Sequence, residues 1–237
     1  MNNYRSSQFR ANNVVIDQNG EIIRNNVLRN TYWLLAVSLI PTVLGAIIGM
    51  VSGINSGMLS NPGLSTIVFF IGAFSLMSCI EKNKNNIFGV FFLLAFTFFM
   101  GIMLSRLLGI IIGMHNGTKI IAMSFGGTAI IFSVMNFLAN TTKRDLSNFA
   151  KWVSIGTVVI LIAAVANIFM HISALTLTIS MVSIIIFSSF ILIDIQRVVN
   201  NGETNYISAT LAIYLDIYNV FSNLLIIIGF MNNNNRE

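Results

Sequence analysis

Charge is scarce in this chain. Its 237 residues hold 13 Lys or Arg and 8 Asp or Glu, 9% charged in all, where a soluble domain carries about 25%. So few charges exclude a water-covered globule of this size. Cysteine is almost absent: Cys79 stands alone, so no intrachain disulfide and no zinc knuckle can form. Lying within an apolar block, it reads as packing. A cleavable signal peptide is also missing, because the first ~30 residues are polar and the first apolar run comes only after them. There is no Walker motif, no His-Glu-x-x-His and no Gly-x-Ser-x-Gly. No enzyme is expected.

What is present is hydrocarbon, 55% of the residues, gathered in blocks. A charge-free apolar block of about 18 residues or more is a bilayer span. The blocks predict an all-α bundle of seven spans: Thr31–Ile54, Leu64–Ile80, Ile87–Leu108, Lys119–Leu138, Trp152–Met170, Leu175–Gln196 and Tyr206–Met231. Residues 1–30 form a polar, loose tail, 31–231 the membrane domain and 232–237 a short external tail. Pro41 marks a kink held by neighbouring helices. Gly109–Gly117 reads as an outer loop or interfacial helix, and a miscount there would move the C-terminus to the other side. Gly45-Ala-Ile-Ile-Gly49 is a GxxxG step, a packing signal. The six phenylalanines from Phe88 to Phe99 face lipid or core, and His115 and His171 fall in outer turns.

The net charge of +5 does not imply nucleic acid, because the basic residues sit in short clusters between spans. With the N-terminus inside, Arg5, Arg10, Arg24, Arg29, Lys82, Lys84, Lys143, Arg144, Lys151 and Arg197 are cytoplasmic, against Arg106, Lys119 and Arg236 outside. Ten against three favours a cytoplasmic N-terminus and an external C-terminus.

Two acidic residues, Asp194 and Asp216, lie inside spans. An Asp at mid-helix costs about 2.5–3.5 kcal/mol on insertion scales. Spans six and seven form an antiparallel hairpin, with Asp194 about nine residues before its turn and Asp216 about thirteen after, so their depths differ by about one helical turn. If those faces touch, the carboxyls meet in the cytoplasmic half of the membrane. Ser208, Ala212, Asp216, Asn219 and Asn223 share one face of span seven, which should point at other helices or a polar path rather than at lipid. Two carboxyls that meet in low dielectric titrate as a unit. A shared proton locks the helices; two charges repel and offer hard oxygen ligands to a cation such as Ca²⁺, with Asn219 as a further donor. The plainer alternative is that Asp194 snorkels toward Arg197 and Asp216 hydrogen-bonds a neighbouring helix. Intramembrane aspartyl proteases also carry paired aspartates. They have Gly-x-Gly-Asp at the second, where this chain has Ile213-Tyr214-Leu215-Asp216, and Tyr-Asp at the first, where Ile193 precedes Asp194.

Several stretches resemble the Bax inhibitor-1 family, on its YccA-type bacterial branch. They are Arg29-Asn30-Thr31-Tyr32-Trp33-Leu34-Leu35, Gly126-Gly127-Thr128-Ala129, Thr141-Thr142-Lys143-Arg144-Asp145-Leu146-Ser147, Val165-Ala166-Asn167-Ile168-Phe169 and Gly202-Glu203-Thr204-Asn205-Tyr206-Ile207. The resemblance implies a seven-helix fold with the last helix ringed by the other six. It also implies a pH-sensitive calcium leak controlled by an aspartate pair in the last two helices, where Asp194 and Asp216 fall. A basic latch on that pair is expected from Lys82 or Lys84, a lysine standing where the family has arginine, which makes bidentate pairs that lysine cannot. The branch implies a second role, as modulator and substrate of a membrane-anchored, ATP-dependent protease of the FtsH type, with the loose tail 1–30 as handle.

Overall fold

In the bilayer a backbone must satisfy its own hydrogen bonds, so each apolar block becomes a helix. The computed structural model describes residues 3–53, 62–142, 144–200 and 202–234. Seven helices follow one another: α1 (Asn3–Val51), α2 (Pro62–Asn83), α3 (Ile87–Ile112), α4 (Gly117–Thr141), α5 (Ser147–Met170), α6 (Ser173–Val199) and α7 (Tyr206–Asn234). Each contains a stretch long and apolar enough to cross a membrane, and no strand occurs among the described residues.

Two boundaries depart from the sequence reading. Helix α3 continues to Ile112 instead of ending at Leu108. Gly109 and Gly113 suggested a loop, but Ile110–Ile112 are apolar and their backbone stays inside the helix; the Gly113 amide still donates to Gly109 O. The turn to α4 is then only residues 113–116, closed by Asn116 at φ 61. Helix α1 begins at Asn3, so the polar segment is drawn as helix continuous with the first span rather than as a loose tail. Between residues 3 and 30 there is no proline and one glycine, Gly20, so once the span has supplied a nucleus few breakers oppose propagation. Pro41 stands inside α1 without ending it. Most of the Asn55–Gly63 turn, Lys143 and Arg236 lie outside the described residues.

The most extensive helix contact joins α1 to α3. A Cβ on Gly45 would meet the Phe98 carbonyl, and one on Gly101 would meet the Thr42 carbonyl. Each glycine therefore seats the other helix's backbone, with Gly49 against Ser105 one turn on. Helix α7 packs against α1, α2, α3, α4 and α6, whereas α5 lies chiefly on α6. No residue of α7 from Tyr206 to Phe230 is exposed, while every other helix exposes several. Tyr214, Phe96, Ile80, Leu93, Ile191 and Ile195 fill the core around it.

The alternation of helices puts Arg29, Lys82, Lys84, Arg144, Lys151 and Arg197 toward one end of the bundle and Arg106 and Lys119 toward the other.

A candidate site between the last two helices

At the basic end, side chains tie the turns together. Gln196, buried at the end of α6, donates to Thr142 O (3.0 Å) and Arg144 O (2.9 Å) in the α4–α5 turn. Asn205 opens α7: its Oδ1 accepts from the amides of Ile207 (2.9 Å) and Ser208 (3.2 Å). The same side chain donates from Nδ2 to Lys84 O (2.9 Å) and Asn85 Oδ1 (3.0 Å) in the α2–α3 turn. One residue thus satisfies the orphan amides of a helix start and fixes that start to a second hairpin.

This frame brings Asp194 and Asp216 together. Their carboxyls lie within hydrogen-bonding reach of each other. Asp216 is 6% exposed, and its Oδ2 is, among the described residues, the only buried side-chain polar atom with no hydrogen-bond partner. The Asp194 side chain is 12% exposed and sits 3.2 Å from Arg197 Nη1, which reaches back from one turn below, 58% exposed. The charged groups acting on the pair are Arg197 and, from the α6–α7 turn, Glu203. An oxygen that lacks a donor can be satisfied from within the pair by a proton held between the two carboxyls.

The candidate latch lysines do not reach this pair. Lys84 Nζ is 3.0 Å from Glu81 Oε2, which holds the Lys84 ammonium above its ordinary pKa, and Lys82 is exposed. Glu81 stands one turn before Lys84 and captures it, so the cation beside the carboxyls comes from α6 itself. Nor do the stripe residues form one continuous polar path. Ser208 Oγ donates to Glu81 Oε1 (3.0 Å), while Asn219 and Asn223 turn their amide nitrogens onto their own helix, at Leu215 O (2.8 Å) and Asn219 O (2.7 Å). Among the described residues no group of three or more His, Cys, Asp or Glu could hold a metal ion. Two carboxylates offer at most four oxygens, short of the six to eight that Ca²⁺ takes.

Sequence reasoning missed a second polar seam on α7. Tyr214 OH lies 2.8 Å from Thr42 Oγ1 and 3.4 Å from Thr97 O; Tyr218 OH donates to Met100 O (3.3 Å). The signal was the i, i+4 tyrosine pair flanking Asp216. Two other asparagines bridge helices. Asn136 Oδ1 accepts from Tyr32 OH at 2.7 Å, and Asn167 Nδ2 donates to Thr176 Oγ1 at 2.7 Å.

Comparison with known proteins places this geometry. Residues 24–234 match the family described as inhibitor of apoptosis-promoting Bax1. The chain is 38% identical over 214 residues to the modulator of FtsH protease YccA of Escherichia coli K12, covering 90% of this chain and 94% of that one. The counterpart in another E. coli strain, at the same identity and coverage, is named an inner membrane protein. An uncharacterized membrane protein of Vibrio cholerae is 36% identical, covering 89% of this chain and 92% of its own. A match over nearly the whole membrane domain, joined to seven membrane-length helices, means that this chain belongs to the Bax inhibitor-1 family and is similar to its YccA-type bacterial members.

Proposed function

We propose that this chain is a pH-sensitive cation leak of the bacterial inner membrane, passing Ca²⁺, with Asp194 and Asp216 as its gate. The contact between two buried carboxyls, one with an unpartnered oxygen, carries the reading. One proton shared by the pair bridges α6 to α7. Loss of that proton leaves two charges in contact in low dielectric, and their repulsion drives the helices apart. The freed oxygens are hard ligands for a divalent cation. Arg197, half exposed beside Asp194, takes the latch role expected of Lys82 or Lys84. The segregation of basic residues to the end holding the α1 entry and the α6–α7 turn supports a cytoplasmic N-terminus and an external C-terminus.

Ca²⁺ flux into proteoliposomes across pH tests the gate. Wild-type flux should rise as pH rises, and Asp194→Asn and Asp216→Asn should each flatten the profile. Unaltered profiles in both variants would sink it.

A second reading has its own support. The relative from E. coli K12 is named a modulator of FtsH protease, and α1 carries a polar stretch ahead of its span. In this reading the chain engages a membrane-anchored ATP-dependent protease through residues 1–25. Deleting them should abolish degradation by that protease and any inhibition of it, and leave ion flux intact. Equal turnover of both forms would count against the handle.

A further inference from the structure

Helices α1 and α4 both pack on α7 and meet each other at Tyr32, which bonds Asn136 and packs edge-on against Phe132; beyond that contact they diverge. The gap between them is a cavity of about 730 Å³, walled by residues such as Val43 and Phe125 and floored by Leu108 and Ile217. It runs beside α1 from Tyr32 to Met50, about 27 Å of helix, close to the ~30 Å of a hydrocarbon core. Leu39, Val43, Ile47 and Phe125 are exposed along it, so it opens sideways between the helices.

Three observations choose its occupant. The first is shape: a gap about 27 Å long with largely apolar walls matches an extended hydrocarbon chain. The second is dryness. Every hydroxyl on the lining is already engaged: Thr42 with Ser38 O and Tyr214 OH, Thr128 with Ser124 O, Tyr32 with Asn136, and Tyr218 with Met100 O. A water or ion entering would find few partners. The third is charge. Arg29, one turn before Tyr32, is exposed and in no ion pair among the described residues. Asn140, one turn beyond Asn136, is exposed on the facing helix.

We infer that the α1–α4 groove is a lipid site that takes the acyl chain of an anionic membrane phospholipid, with its phosphate headgroup at Arg29. This rests on the helices crossing a bilayer and is independent of the carboxyl gate. Groove variants should lose lipid while the pH profile of flux keeps its form, whereas failure of the gate would leave lipid binding untouched.

Native mass spectrometry of the full chain, extracted from vesicles of equal phosphatidylglycerol and phosphatidylcholine, reads the site. Wild type should retain phosphatidylglycerol at about fivefold over phosphatidylcholine. Ala36→Phe with Ala129→Phe fills the groove and should remove the retained lipid. Arg29→Gln should keep a bound lipid and lose the preference. Ala166→Phe, exposed on α5 away from the groove, should change nothing. Equal retention by all four proteins would overturn the site, and so would a dimer or partner-protein mass lost on filling the groove. If the filled variant does not fold, a reporter gives a second reading. Val43→Trp in a Trp33→Phe, Trp152→Phe chain should be quenched by chain-brominated phosphatidylglycerol about twice as strongly as Ile162→Trp; equal quenching would overturn the proposal.

Discussion

Helix α1 meets α3 backbone to backbone, and α6 meets α7 side chain to side chain. In the first contact, glycines at 45 and 101 seat the opposing helix's carbonyls, and the hydroxyls of Thr97 and Ser105 turn inward onto Leu94 O and Ile102 O. There is no rotamer to change and no charge to titrate. In the second, two carboxyls stand on helices rich in buried aliphatics such as Ile191, Ile195 and Leu211, and one carboxyl oxygen lacks a donor. Close backbone packing fixes a distance. A carboxyl pair makes the distance depend on a proton. A membrane bundle that must hold together and still respond has reason to keep these devices on different helices.

The comparison breaks hardest at the glycines. Gly101→Val places branched carbon against the Thr42 carbonyl and should cost about 3 kcal/mol or more, read as a lower unfolding midpoint in detergent or loss of folded protein. Unchanged melting would mean that the helices separate freely. Next comes the support under the second contact. Gln196→Ala strips two hydrogen bonds from the α4–α5 turn, an expected loss of about 1 kcal/mol in thermal melting. Asp216→Asn should move the midpoint less at neutral pH. It should, however, remove the dependence of the midpoint on pH expected from the carboxyl pair in wild type, because an amide keeps its hydrogen atoms as carboxyls gain and lose theirs. A variant as pH-dependent as wild type would place the sensor elsewhere. The smallest effect is expected at Asp145, whose Oδ1 accepts from the Ser147 amide at 2.9 Å and from its hydroxyl. These bonds hold its carboxyl below the usual carboxylate range. Their stabilisation is therefore present above the unfolded value and fades as pH falls through the lowered one. Asp145→Asn should remove only that acid-side slope, visible in melts at low pH.

Much of this was legible in the sequence because bilayer helices need long apolar runs, and few other features produce them. The start of α7 at Tyr206 and the end of α5 at Met170 could be read directly. Hairpin arithmetic placed Asp194 and Asp216 within about one helical turn in depth but did not show that their faces touch. The partner of that pair did not follow. Whether Lys84 or Arg197 supplies the cation depends on Glu81, which lies one turn from Lys84 and removes it from contention. Arg197 stands three residues from Asp194, a spacing that helices make into a contact. The α1–α4 groove left no trace in the sequence, because it depends on how far two helices diverge beyond the Tyr32–Asn136 contact. The end of α3 was misread for a local reason: Gly109 and Gly113 carry loop propensity in water, but an apolar segment in lipid has no solvent to receive its unpaired amides.

The enclosure of α7 has a consequence for assembly. This helix follows all the others in chain order, yet it is the one with no exposed residue through most of its length. The earlier helices are therefore inserted before the helix on which most of them pack. Surfaces that end up against Tyr214, Val220 and Leu225, all at most 1% exposed, face lipid or one another until α7 has been made. The tertiary structure closes in a single late step, when the segment beginning at Tyr206 enters between its neighbours.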